Sequence, residues 1–203
     1  MSARMAVFNC NKEITMSSNT LLISVQQLKE RTGLHSNVDE KQVTPDIKYC
    51  QDAYIMPLLG TALMEKLQAD IEAGIPTGNY LILWNDYVLD ALCYYVLGES
   101  PMTLTYQLYN KGLVRKTSEN TQTPDVQEII SMADKYKKRA EWYGQRLADY
   151  LMQNYSLFTE YTNPGSGIDT FIPESNAYMT SFFMGDSYEG GSYQSSDSKF
   201  KRK

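Results

Sequence analysis

The sequence predicts an all-α protein: a small helical bundle with one long C-terminal helix and extended N- and C-terminal arms. Three observations carry that expectation. Apolar residues recur at three- and four-residue spacing over most of the middle of the chain. The longest such run, from about Asp125 to Phe158, keeps Val126, Ile129, Ala133, Tyr136, Ala140, Tyr143, Leu147, Tyr150 and Leu151 on one stripe. After it, residues 162–203 hold no Leu and no Val but 5 Gly, 8 Ser and 7 Phe or Tyr, a composition that cannot build its own core. The organisation expected is an arm over 1–23, a helical domain over 24–161 and a second arm over 162–203.

Taken in order, the first 20 residues are polar and patternless. A short helix is expected from Ser24 to Arg31, closed at Gly33 by a left-handed residue. Thr44-Pro45-Asp46 reads as a helix start, with Thr as cap, Pro in the first position and Asp at the positive end of the dipole. Ile47, Cys50, Tyr54 and Leu58 continue it until Pro57 and Gly60 break it, and Thr61 can cap the next helix. Leu63, Met64, Leu67 and Ile71 form that helix's face, closed by Gly74 and Pro76. Asn79 can cap a third helix to about Leu97, apolar almost all round and so central to the bundle. Gly98 and Ser100-Pro101 interrupt it; Met102 to Tyr109 adds a turn or two. Asn110-Lys111-Gly112 signals a turn, and Leu113 to Thr117 reads as extended before a polar loop.

Composition narrows the function. With 203 residues, 19 basic and 24 acidic side chains, the chain carries a net charge of −5. That argues against a protein built to coat nucleic acid. Sixteen Tyr stand against 6 Phe and 2 Trp, and Tyr pairs a large apolar ring with a wet hydroxyl, as contact surfaces favour. Cys10, Cys50 and Cys93 are odd in number and form no CxxC pair, which excludes a disulfide framework and suits a reducing cytosol. Met1 to Thr20 lack an apolar h-region and a small-residue cleavage site, so no signal peptide is expected. The most apolar stretch, Tyr80 to Leu97, contains Asp86 and Asp90, which would be costly in lipid, so no membrane span is expected.

The search for catalytic chemistry yields little. His35, the lone histidine, lies beside Ser36 in a polar loop with no strand-to-helix elbow. The Gly190-Gly191 pair lacks the helix and Lys-Ser of a phosphate loop. Asp86 and Asp90 stand four apart on one helix and could hold a divalent ion, but no ExxH partner accompanies them; their simpler role is the wet stripe of a buried helix. No enzyme, cofactor or metal is expected. Lys135, Lys137, Lys138 and Arg139 form a basic run on the long helix, a solvated face or a patch toward DNA or an acidic partner. Trp142, Met132, Met152 and Tyr155 lie off the main stripe, and a helix apolar on two faces usually touches something besides its own domain.

Tyr54-Ile55-Met56-Pro57-Leu58-Leu59-Gly60-Thr61-Ala62-Leu63, a Gly-Pro break, a buried Tyr/Leu helix, Asn110-Lys111-Gly112-Leu113-Val114 and a long final helix follow one another. In this order they resemble the head–tail connector (adaptor) proteins of tailed bacteriophages, in particular those of crAss-like and other Bacteroides phages, over about Ser24 to Tyr161. The resemblance implies a non-enzymatic virion subunit at the head–tail junction, assembled in the host cytoplasm. It implies a ring of twelve copies beneath the portal protein, with a tail protein or second adaptor downstream and the DNA channel running through it. Tyr106, Tyr109, Leu113 and Val114 are then expected to contact the neighbouring copy. Phe171, Ile172, Tyr178, Phe182, Phe183 and Tyr188 are the expected anchors of a partner-binding arm, and Lys135, Lys137, Lys138 and Arg139 the expected contacts to DNA or an acidic partner. Two other classes compete: a cytosolic helical protein-interaction module, and a small metal-dependent hydrolase built on Asp86 and Asp90.

Overall fold

Ser24 begins the first helix as expected: its hydroxyl accepts from the Gln27 amide at 3.2 Å while Gln27 Oε1 accepts from the Ser24 amide at 3.1 Å, a reciprocal cap that satisfies two otherwise unpaired donors. The computed structural model describes residues 20–74, 76–110, 112–115, 124–165, 170–175 and 177. Among them run α1 (Val25–Arg31), α2 (Glu40–Cys50), a π-helical turn (Gln51–Ile55), α3 (Met56–Leu59), α4 (Thr61–Ala73), α5 (Asn79–Leu83), a second π-turn (Trp84–Val88) and α6 (Leu89–Thr105). The strands β1 (Tyr106–Tyr109) and β2 (Gly112–Arg115), then α7 (Val126–Gln153), a 3₁₀ turn (Tyr155–Leu157) and α8 (Thr159–Thr162), complete them. The fold is an all-α bundle carrying one small hairpin.

Several boundaries differ from the sequence expectation, each for a physical reason. α1 is closed by Thr32, whose hydroxyl donates to the Leu28 carbonyl at 2.6 Å, so Gly33 is not needed in a left-handed turn. α2 starts at Glu40 with Asp39 as its cap, not at Thr44. Starting early places Val43 in the buried stripe with Ile47 and Cys50, and this outweighs the hydrogen bond lost at the exposed Pro45. The first π-turn sits just before Pro57; a widened turn gives the proline ring room against the carbonyls behind it. In the second, Leu83-Trp84 and Val88-Leu89 are buried pairs five residues apart, a spacing that a π-turn matches and a 3.6-residue turn does not. Gly98 and Pro101 do not interrupt α6. A Cβ on Gly98 would lie 2.9 Å from Lys137 Cγ, so this glycine lets α6 and α7 cross closely.

α7 spans 28 residues, about 42 Å at 1.5 Å per residue. It ends at Gln153 rather than Phe158 because Asn154 leaves the helix and the 3₁₀ turn swings Phe158 fully into the core. Tyrosines stack along α7: Tyr94 of α6 on Tyr143 with centroids at 5.0 Å, and Tyr87 of the second π-turn on Tyr150 at 4.0 Å. Tyr143 and Tyr150 of the α7 stripe therefore pack against the chain's own α6 and second π-turn.

The helical unit reaches further toward the N-terminus than Ser24. Leu22 and Ile23 are buried in the core, and side chains hold the backbone beside them. Gln51, itself buried, accepts from the Leu22 amide at 2.8 Å and donates to the Thr20 carbonyl at 3.0 Å. Trp84 Nε1 donates to the Leu22 carbonyl at 2.9 Å. Residues 1–19 of the expected N-terminal arm lie outside the described residues.

Candidate assembly surface

The hairpin is the feature that the bundle does not bury. α6 ends at Thr105 and the chain goes straight into β1, which pairs antiparallel with β2 in the register Tyr106 to Arg115, Gln107 to Val114, Leu108 to Leu113 and Tyr109 to Gly112. Gly112 takes φ 115°, a conformation open to glycine and strained for other residues. Tyr109 is 59% exposed, Leu113 64% and Val114 45%. A lone two-stranded ribbon is marginal in water; here the Tyr109 hydroxyl braces it by donating to Gln107 Oε1 at 2.8 Å. Tyr106, half-buried, and Leu113 face an open cleft of about 620 Å³, whose other walls are Met102, Thr103, Val126 and Gln42. Met102 is also exposed. The four residues expected at a subunit contact are thus brought together at one end of the bundle.

The basic run is divided. Lys137 pairs with Glu99 at 3.1 Å and lies along Gly98, so it belongs to the α6–α7 seam. Lys135, Lys138 and Arg139 are exposed, the last with its guanidinium 5.9 Å from the Tyr136 ring. Behind Lys137 lies a half-buried polar cluster. Tyr54 stacks on Tyr95 at 4.5 Å and donates its hydroxyl to Glu99 at 2.8 Å. Burial, then the hydrogen bonds with Tyr49 and Glu99, push the Tyr54 hydroxyl above its ordinary range. Burial also raises the Asp46 carboxyl, against the hydrogen bonds from Thr103 and Ser100, and Asp46 Oδ2 has no partner.

Nothing in this cluster is poised as a nucleophile. The Cys50 thiol is pushed up by burial and by the nearby Glu99 and Asp46 carboxylates. Burial lifts Cys93 to about 12, against the pull of Arg31. Both are inert packing thiols. Asp90 is bound to Arg31 at 3.2 Å, and Asp86 accepts from Asn85 Nδ2 at 2.6 Å, so the two aspartates face different partners. Among the described residues, no group of three His, Cys, Asp or Glu could hold a metal ion. His35 is exposed, its Nδ1 accepting from the Asn37 amide at 3.1 Å. Among the same residues no helix is long and apolar enough to cross a membrane.

The second candidate surface is partly built into the bundle. Residues 170–175 and 177 lie as a strap across α3, α4 and α7. The Thr61 amide donates to the Phe171 carbonyl at 3.2 Å, and the Phe171 amide donates back to the Thr61 hydroxyl at 2.8 Å. Thr61 therefore tethers the strap instead of capping α4. The Glu174 amide bonds the Pro57 carbonyl at 2.8 Å. Gln145 grips both sides of the next bend, donating to the Ser175 carbonyl and accepting from the Ala177 amide, each at 3.1 Å. Two glycines make room. A Cβ on Gly60 would meet the Pro173 ring at 2.8 Å, and one on Gly144 would meet Ala177 Cβ at 2.9 Å. Phe171 and Ile172 face outward, Ile172 at 75% exposure.

Tyr178, Phe182, Phe183 and Tyr188 lie outside the described residues. Sequence reasoning missed Gln51, Gln145 and Gly144, and read Gly60 as a helix break without its contact to the strap. Their only signals were polar or glycine residues on otherwise apolar helix faces.

No curated protein and no solved structure matches the chain. One family model does, over residues 55–170, from the first π-turn through the hairpin and α7 to the start of the strap, and the chain belongs to that family, a family of unknown function (DUF6712).

Proposed function

We propose that this chain is a structural subunit of a ring adaptor at the head–tail junction of a tailed bacteriophage. In that role it joins the portal at the capsid vertex to the tail and extends the DNA channel. The observation that carries the reading is the hairpin: Tyr109, Leu113 and Val114 stand exposed on it, and Leu113 with Tyr106 lines an open apolar cleft at one end of the bundle. Apolar ribbon edges of this kind are completed by another chain, through added strand pairing or filling of the cleft. A contact between two different patches repeats head to tail and closes into a ring when the rotation permits. The sequence resemblance supplies the ring of twelve, the portal and tail partners and the non-enzymatic role.

In this arrangement Lys135, Lys138 and Arg139 offer non-specific phosphate contacts to channel DNA, while Lys137 serves the fold through Glu99. Phe171 and Ile172, held outward by the strap, are the part of the C-terminal arm placed for a tail-side partner. The test is assembly on purified portal rings. Wild-type chain should bind in multiple copies as a closed ring, and Leu113→Asp with Val114→Asp should remain folded but fail to close it. Complexes that never exceed a few copies would refute the ring.

A second reading, a helical protein-interaction module, has one observation in its favour. An apolar cleft of about 440 Å³ opens between α6 and α7, lined by Leu34, Leu97, Pro101, Leu104, Ile129 and Met132. One partner helix bound per chain, with no self-association on a portal, would favour it.

A further inference from the structure

We infer that the hairpin of one copy docks in the α6–α7 cleft of the next, so that each subunit carries both a plug and a socket. The inference rests on the ring reading and names the surface that receives the hairpin. The ribbon has two faces. Tyr106 and Leu113 share the face turned to the chain's own cleft, while Tyr109 and Val114, in the alternate register, share the other. Tyr109 and Val114 are both exposed, and together they make an apolar plug. The socket is the cleft of about 440 Å³ walled by Leu34, Leu97, Pro101, Leu104, Ile129 and Met132. Met132 is 53% exposed there, an apolar wall open to solvent in the single subunit.

Placement, length and charge assign the occupant. Leu97, Pro101 and Leu104 recur at three- and four-residue spacing on one side of α6. Met102 and Thr103, which wall the hairpin's own cleft, lie on the opposite side of the same turns. The chain's own hairpin follows Thr105 directly and turns to that opposite side, so the socket is left for another copy. A plug and a socket on opposite sides of one helix make a heterologous contact, which repeats head to tail instead of pairing face to face. The lengths agree. β2 extends about 10 Å at 3.3 Å per residue, and Leu97 to Leu104 spans about 10 Å at 1.5 Å per residue of helix. The charges are complementary as well. From Tyr106 to Arg115 the sequence holds Lys111 and Arg115 and no acid. Glu128 lines the socket, and Asp125 caps the helix that carries it. A cationic plug meeting an acidic socket steers the encounter and fixes its direction.

The test is cross-linking of the full chain assembled on purified portal rings. In a Cys10→Ser background, Val114→Cys and Met132→Cys put one thiol on the plug and one in the socket, while Cys50 and Cys93 are buried. Both new positions are exposed, and equal far-UV circular dichroism verifies the fold. A short bis-maleimide, which does not demand disulfide geometry, should give a ladder of covalent multimers running past the dimer. Either cysteine alone should leave monomers. In a separate variant, Met132→Asp should fold normally and fail to close the ring. Electron microscopy of the same samples separates the outcomes. A closed ring that yields no ladder, or that still closes with Met132→Asp, overturns the docking and leaves the ring reading standing; the cleft would then take another occupant, such as a partner helix. A cross-link confined to one chain, or dimers from Val114→Cys alone, also overturns it, as a contact within the chain or face to face. Single copies scattered on the portal overturn the docking and the ring reading together.

Discussion

Gly60→Ala isolates the junction between strap and bundle. Gly60 adopts φ 78°, ψ 160°, a region that is essentially glycine's alone, and forcing a side chain there costs of order 1–3 kcal/mol. The new methyl would also lie 2.8 and 2.9 Å from Pro173 Cγ and Cδ. Relief requires the strap to lift, which weakens the paired hydrogen bonds between Thr61 and Phe171, each worth about 0.5–1.5 kcal/mol. Together the substitution should cost about 2–6 kcal/mol, a large share of a domain's stability. The two contributions separate in a double-mutant cycle with Pro173→Ala. Removing the ring relieves the clash but not the backbone strain, so the double variant should recover about 1 kcal/mol or more relative to the sum of the singles. Urea unfolding followed by circular dichroism measures all four proteins. A Gly60→Ala cost below about 1 kcal/mol, or strict additivity with Pro173→Ala, would mean that the strap is not seated on Gly60.

Three further outcomes follow from the same structure. Gln51→Leu should destabilise by about 1–3 kcal/mol, because the buried Leu22 amide loses its acceptor; protease sensitivity near Thr20 should rise with it. Asp46→Asn should remove a slope from the stability–pH curve. The folded chain holds the Asp46 proton more tightly than the unfolded chain, whose value is near 3.8, so it binds more protons above that pH and loses stability as pH rises through the raised folded value. The wild-type-minus-variant difference in urea midpoint, taken from pH 3.8 upward, should therefore fall with pH, and a flat difference would reject the burial argument. Leu113→Asp and Val114→Asp, at exposed positions, should each leave the free energy of urea unfolding within about 0.5 kcal/mol of wild type while preventing ring closure on purified portal.

How much of this was legible in the sequence depends on whether a residue's role was local. The α7 stripe, the short helix that opens at Ser24 and the turn signal ahead of Gly112 announce themselves within a few residues, because period and turn chemistry are local properties. Pro45, Gly98 and Pro101 misled for the same reason. Pro45 is overruled by the buried stripe that begins at Val43, and Gly98 by the close passage of Lys137. Gln51 and Gln145 could not have been singled out, since their role is to bond backbone about 30 positions away. At the hairpin the residues were legible and their setting was not. Tyr106, Tyr109, Leu113 and Val114 could be listed from an apolar patch next to a polar loop, but the cleft beside them is made by α2, α6 and α7 together.

The most direct test of the adaptor reading is single-particle electron microscopy of the full chain bound to portal rings from the same genome. The account predicts a closed ring of copies on the portal, twelve by the sequence resemblance, in which Leu113 and Val114 of each copy are buried against the next. Single copies scattered on the portal, face-to-face dimers, or a closed ring whose hairpins all remain in solvent would contradict it.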